Sequence, residues 1–297
     1  MSHSDPDVIR PFRWNVARRA ELGSLPDGPA PAGYPAFAEQ LRRATALVLA
    51  RSGGGTLVLV GRSLECMFDY LSGLLADVPD APPLKLLQVS LSSVGDVERD
   101  AHAMPAEIDA LLAYMRAEGL APPDIEAARG GVTFIDVVST GATFGVLTGL
   151  LRLAARRSCA DWHAIERQIG FVGVVDERKT SPKTWRWWQH EAWVADLKTR
   201  RISNVSIPGP MWGFLGNNDE KATPSHGLFR WRDPRAAVPS RDEHHLKGLR
   251  FAVANYDRGL TREERGRFAD AVARLPEMRH AWLRRLVVAL RRSGGAR

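Results

Sequence analysis

The chain is poor in the residues that mark the commonest specialised sites. It has two cysteines in 297 residues, Cys66 and Cys159, and they form no metal-binding or redox spacing. A disulfide scaffold and a zinc module are therefore excluded, and two reduced thiols are expected. No apolar run reaches bilayer length, since the longest stretches are of the kind "TLVLVG" and "LVVAL". The first residues, "MSHSDPDVIRPFRW", lack the apolar core of a signal peptide. The expectation is a cytoplasmic protein with no membrane contact. Four familiar motifs are also missing: G-x-x-x-x-G-K-[ST], G-x-G-x-x-G after a strand, H-E-x-x-H and G-x-S-x-G. "GGGTLVLVGRS" looks superficially like the first, but its spacing is wrong and its glycines precede the strand. No internal repeat is present.

Hydrophobic residues make up 44% of the chain and charged residues 25%, which is ordinary for a globular protein able to build its own core. The net charge is +7. That suits a polyanionic small substrate, a nucleic acid, or an arginine-rich proteome. Much of the excess lies in "RHAWLRRLVVALRRSGGAR". There Leu283, Leu286, Val287 and Leu290 read as the buried stripe of a helix, with Arg284, Arg285, Arg291 and Arg292 on its exposed face.

Periodicity divides the chain into four parts. Residues 1–34 are a turn-rich lead-in containing "LPDGPAPAGYP". Residues 35–210 alternate strand and helix. "PAFAEQLRRATALVLARS" has helical spacing, "TLVLVG" reads as a buried strand, and "RSLECMFDYLSGLLADV" as a helix opening from its end. "PPLKLLQVSLSS", "GGVTFIDVV", "RQIGFVGVVDERK" and "TRRISNVSIPG" supply four more strands. A helical stretch over 96–118 is interrupted near Pro105. Residues 211–241 form a loop-rich cap or acceptor region, and 242–297 a helical extension. In the extension Thr261 and Glu264 suggest a capping box, and Pro276 suits the first turn of the final helix. The predicted class is α/β, a mainly parallel sheet with helices on both faces. In such sheets ligands bind outside the carboxyl ends of the strands. Arg62, Ser90, Asp136, the 139–143 loop and Asp176 all fall at predicted strand ends.

"VTFIDVVSTGATFGVL" is the richest stretch. An apolar strand ends at Asp136, and five small residues precede a helix: Ser139, Thr140, Gly141, Ala142 and Thr143. Gly141 and Ala142 leave the backbone open, the three hydroxyls can donate, and the helix start favours an anion. Composition alone admits both a phosphate monoester site and an ordinary strand-to-helix turn.

"FIDVVSTGAT" resembles the phosphoribosyl pyrophosphate-binding motif of type I phosphoribosyltransferases. That motif is an apolar strand, two adjacent acids, two small apolar residues and a Ser/Thr-Thr-Gly-x-Thr loop. The loop matches throughout and Asp136 matches the second acid, while Ile135 replaces the first. "LVLVGRSLECMFDYLSG" looks like the family's first core strand, pyrophosphate loop and helix, and "GVVDERK" like the strand after the phosphate helix. The resemblance covers roughly residues 35–210.

It implies a phosphoribosyltransferase-like fold and an enzyme of nucleotide metabolism. Such an enzyme moves a 5-phosphoribosyl group from phosphoribosyl pyrophosphate to a small-molecule acceptor, here a non-standard one, and releases pyrophosphate. The 139–143 loop would hold the 5-phosphate and Asp136 the ribose hydroxyls. Arg62, Ser63 and Lys179 would meet pyrophosphate, with Mg²⁺ carried by the ligand and no direct protein ligand to the metal. With Ile135 in place of an acid, the acceptor could be an unusual one and the acid supplied from elsewhere; Asp176 or Glu177 could substitute. A protein that binds phosphoribosyl pyrophosphate or a nucleotide without transfer is the alternative that Ile135 motivates.

Two further stretches carry expectations. "KTSPKTWRWWQHEAW" holds four of the nine tryptophans. They suit a stacking surface or a lid, with Lys183 near phosphate, but Trp185, Trp188 and Trp193 covering a sheet edge or an interface is favoured. A homodimer is compatible with that. In "MWGFLGNNDEKATPSH", Trp212 could stack on a flat acceptor while Asn217, Asn218 and His226 bond its edges; a surface loop fits equally. His244-His245 lacks further metal ligands at a suitable spacing and reads as helix surface. Net charge and tryptophans also raise a nucleic-acid reading, which lacks any RNA-binding signature.

Overall fold

The structure, a computed structural model, describes residues 8–91, 94–179, 186–189, 191–195, 197, 201–218 and 220–293. Five strands form one parallel sheet: β1 (Thr56–Val60), β2 (Leu84–Leu87), β3 (Val132–Val137), β4 (Ile169–Asp176) and β5 (Ile202–Ile207). Their spatial order is β2-β1-β3-β4-β5, with every neighbouring pair parallel. β1 reads "TLVLV" with no polar alternation because both of its faces are covered.

Thirteen helices are described: α1 (Arg19–Leu22), α2 (Phe37–Arg51), α3 (Glu65–Leu75), α4 (Val97–Ala103), α5 (Pro105–Ala117), α6 (Pro122–Ala127), α7 (Ala142–Arg157), α8 (Trp162–Gln168), α9 (Ala192–Ala195), α10 (Gly209–Gly213), α11 (Glu243–Leu260), α12 (Arg262–Ala273) and α13 (Ala281–Ser293). The break near Pro105 is real: α4 ends at Ala103 and Pro105 opens α5, where its missing N–H is harmless.

The pleat sorts the core into two layers. Leu57, Leu59, Ile135, Val172, Val174 and Val205 face α2, α3, α12 and α13. Val58, Val60, Phe134, Ile169, Phe171 and Val175 face α5, α7 and α8. The expected α/β class with helices on both faces and a helical C-terminal extension is therefore present. The crossover from β4 to β5 has no long described helix. Trp187 and Trp193 cover its side of the sheet instead, against Phe144 and Phe171 with ring centroids 5.3 and 5.4 Å apart.

Several boundaries differ from the sequence reading. β2 stops at Leu87, so Ser90 lies beyond it in a loop. Pro276 opens a separate 3₁₀ turn, Pro276–Arg279, before the last helix. Thr261 does cap α12, accepting the Glu264 N–H at 3.2 Å. The Glu264 carboxylate, however, takes both Arg42 donors at 2.8 Å and the Tyr70 hydroxyl at 2.6 Å. A long-range clamp between α2, α3 and α12 has replaced the second half of the capping box. The lead-in is also more than a lead-in: Val16 and Leu22 share a small core with Ala222, Leu249 and Ala252. The stripe Leu283, Leu286, Val287 and Leu290 is buried, and Arg284, Arg285, Arg291 and Arg292 are exposed, as the helical spacing predicts.

The extension docks through a backbone-to-backbone crossing. A Cβ on Gly73 of α3 would lie 2.1 Å from the Tyr256 carbonyl of α11, and one on Gly259 would lie 2.4 Å from the Tyr70 carbonyl. No side chain fits between these helices. Gly73→Val is expected to lower the free energy of unfolding in urea by about 3 kcal/mol, because overpacking at a backbone contact cannot relax by rotamer change. An unchanged midpoint would remove this crossing as a constraint.

Candidate functional site

In the order 2-1-3-4-5 the chain reverses direction across the sheet between β1 and β3, where doubly wound sheets open a crevice. α3 leaves β1 toward one face and α7 leaves β3 toward the other. The loops 61–64 and 138–141 consequently part above the strand ends, and most of the expected site residues stand on or around them.

Asp136 is the buried polar group at the base of the β3 loop, 6% exposed. It lies on the α7 side of the sheet, where its carboxylate accepts the Val137 N–H at 2.7 Å and the Thr143 hydroxyl. Burial pushes its pKa up to about 7, against the opposing pull of those two donors and of the Lys221 charge. A carboxyl group pushed toward neutrality by burial at a strand end marks a candidate site, although structural burial alone produces the same shift. Ile135, one residue earlier, points the other way and is wholly buried in the α2–α3 layer. An acid there would be embedded in hydrocarbon, so in this chain the position is a core position and contributes nothing to the crevice.

The 139–143 loop departs from the expectation of an open backbone. Ser139, Thr140 and Ala142 are exposed. Gly141 is buried and has φ +104°, which explains the glycine. The space a Cβ would fill is already occupied: it would lie 2.5 Å from the Trp187 ring and 3.3 Å from Glu191 Cγ. Trp187 also closes over Gly173, where a Cβ would come 2.6 Å from its indole nitrogen, and it donates to Asn204 Oδ1 at 2.7 Å. This indole, 1% exposed, fixes the loop from behind. Approach by a ligand is left to the side of Ser139, Thr140 and Thr143 and the first turn of α7.

Across the crevice, Arg62 donates from Nη1 to the Thr223 carbonyl at 2.9 Å. Ser63 follows it in the same loop, half-buried. Behind them Glu65, 2% exposed, accepts the Ala222 N–H at 3.0 Å and the Thr223 hydroxyl. Lys221, 7% exposed, donates to the Leu215 carbonyl at 2.9 Å. Arg13 reaches from the lead-in to Asp69 at 2.5 Å. Sequence reasoning missed Glu65, Asp69, Lys221 and Arg13. Glu65 and Asp69 did leave a signal, two acids four residues apart on an otherwise apolar helix; Lys221 and Arg13 left none.

The remaining expected residues are divided between the two sides of the sheet. Asp176 lies on the opposite face from Asp136 by strand parity, and Arg178 grips both of its oxygens with Nε at 3.0 Å. That grip holds its pKa below the ordinary carboxylate value. By parity Asp176 shares a face with Ile135, and its carboxylate is already engaged by Arg178. Trp212 belongs near the crevice, since its Nε1 donates to the Val138 carbonyl at 3.3 Å and Lys179 sits 5.7 Å over its ring. Asn217 is exposed, and the side chain of Asn218 falls outside the described residues. His226 is buried on the β2 side, edge-on to Trp231 at 4.4 Å, with its backbone N–H on Ser90 Oγ at 3.1 Å. Trp212 thus contacts the β3 loop, and His226 the segment after β2. Lys183 and Trp185 lie outside the described residues; Trp188 and Trp193 are half-buried, as a sheet-covering role requires.

No group of three or more His, Cys, Asp or Glu among the described residues could hold a metal ion. The class that the fold defines is a doubly wound α/β protein. Comparison with family models, curated proteins and solved structures finds no match to the chain.

The raised pKa of Asp136 has a thermodynamic sign. The folded state resists ionising this group, so stability falls as pH rises from about 4, where the unfolded carboxyl ionises, to about 7. Asp136→Asn is expected to flatten that decline and to stabilise the protein at pH 8 by at most about 4 kcal/mol. Urea unfolding at pH 5 and pH 8 reads it, and equal losses at both would refute it. Lys221→Met is expected to raise the Asp136 pKa further, read by ¹³C NMR of the carboxyl carbon.

Proposed function

We propose that the crevice between the β1 and β3 loops binds a phosphorylated ribose. On that reading the protein transfers a 5-phosphoribosyl group from phosphoribosyl pyrophosphate to a small acceptor. The supporting observation is a small-residue loop at a helix start beside the switch point, with Thr143 hydrogen-bonded to Asp136; Arg62 stands on the neighbouring loop, its guanidinium on the Thr223 carbonyl. Ser139, Thr140, Thr143 and the first turn of α7 would hold the 5-phosphate. Asp136 would take the ribose hydroxyls and Arg62 the pyrophosphate. Mg²⁺, when bound, would offset charge on the leaving pyrophosphate. The bond from C1 to pyrophosphate breaks with its electron pair leaving on pyrophosphate. The acceptor's lone pair forms the new bond with inversion, and an acceptor proton is released. The protein's contribution is positioning and electrostatics.

A second reading has its own support. Ile135 is core and Asp176 is held by Arg178 on the other face, so β3 offers the crevice one carboxylate. A module that binds the sugar phosphate and performs no transfer needs no more than that.

Titration calorimetry with phosphoribosyl pyrophosphate and Mg²⁺ tests the shared part. Binding is expected in the native protein, weakened about tenfold or more by Thr143→Val and by Arg62→Ala. No heat at millimolar ligand removes both readings. Pyrophosphate release in the presence of acceptors then separates transferase from module. Gly141→Val is not a clean probe, because it collides with Trp187 before any ligand does.

A further inference from the structure

The lead-in is tied down along its length, and its ties converge on the cap. The Phe12 N–H donates to the Ala236 carbonyl at 2.7 Å. Arg13, its side chain 11% exposed, pairs with Asp69 of α3 at 2.5 Å and lies 5.1 Å over the Phe68 ring. Arg19 pairs with Asp257 of α11. Val16 and Leu22 share a core with Leu249 and Ala252 of α11 and with Ala222 of the cap. Ala222 is where the two segments meet, because its N–H also donates to Glu65 at 3.0 Å. Next to it, Thr223 gives its hydroxyl to Glu65 and receives Arg62 Nη1 on its carbonyl at 2.9 Å. Glu65 and Asp69 stand one turn apart on one face of α3, 2% and 1% exposed. Two buried carboxylates so placed repel each other. The Arg13 charge acts on both of them.

We propose that residues 12–22 are a strap that positions the Arg62 loop. The strap, the 222–223 turn of the cap and the Arg62 side chain open and close as one unit, with Arg13 as the latch. Ala222 carries the coupling, since the apolar side chains of the strap cover it on one side and Glu65 holds it on the other. When the strap leaves, Ala222 loses its cover, Asp69 loses its cation, and the Thr223 carbonyl no longer offers Arg62 a fixed acceptor. Arg13 is therefore a positioning residue that acts through α3 and the cap. The inference stands whether or not the crevice binds a sugar phosphate.

Hydrogen exchange of the native full chain in rising, sub-denaturing urea tests this. The Phe12 and Ala222 N–H groups are expected to share one opening, equal in free energy and in urea dependence, while the β1 amides stay protected. Ala222 still protected after Phe12 has opened would overturn the proposal, and so would opening of both only together with β1. Arg13→Ala is expected to speed Ala222 exchange about tenfold or more and to shift the ¹⁵N signal of the Arg62 guanidinium. Arg13→Lys, which keeps the charge, is expected to restore most of both. Unchanged Ala222 exchange in Arg13→Ala, or equal acceleration of the β1 amides, would also overturn it. The native-protein measurement decides the matter even if the variant does not fold.

Discussion

Parallel pairing of β1 with both β2 and β3 is the constraint from which the rest of the architecture follows. A strand paired on both sides must send its chain out over one face or the other. β1 sends α3 one way to reach β2, and the return from β2 to β3 crosses the opposite face through α4, α5 and α6. β3 then sends α7 over that same face to β4. Right-handed crossovers allow no other arrangement. The crevice is a by-product of this divergence, and so is the two-layer core. Asp136 and Ile135 are adjacent in sequence and belong to different layers because the pleat alternates between them.

The second organising element is the indole of Trp187. Crossovers in such sheets usually place a long helix over the next strand, and here a short tryptophan-bearing segment covers β4 on that side. The rings of Trp187 and Trp193 fill the layer that helical side chains would otherwise fill, which accounts for an aromatic density that composition alone could attribute to ligand stacking. On the far side, the clamp of Arg42, Glu264 and Tyr70 and the glycine crossing of α3 with α11 hold the helical extension to the core.

What was legible in the sequence was what local periodicity controls. The five strands, the break before Pro105 and the apolar stripe of α13 depend on residues within one turn or one strand of each other. The strand-end position of Asp136 and the 139–143 loop was legible for the same reason. The rest depended on contacts across the fold. Glu264 looks like a capping residue until Arg42, more than two hundred positions away, claims its carboxylate. Ile135 looks like a damaged catalytic position until its layer is known. Asp176 looks available until Arg178 is seen to hold both of its oxygens. The docking of residues 8–34 could not be read because Arg10, Arg13 and Arg19, each reaching a distant partner, and a few apolar side chains carry it, with no repeating pattern.

Gly141, Gly173 and Trp187 form a set whose members have no independent freedom to vary. A side chain at either glycine would displace the indole, and a smaller residue at 187 would leave a cavity against both. Substitutions at the three positions are therefore coupled, and at 141 the positive φ adds a cost that no change at 187 relieves. The glycine of the loop would be retained under selection for steric fit alone, with or without a ligand. In this chain the identity of residue 141 carries less information about chemistry than the hydroxyls on either side of it.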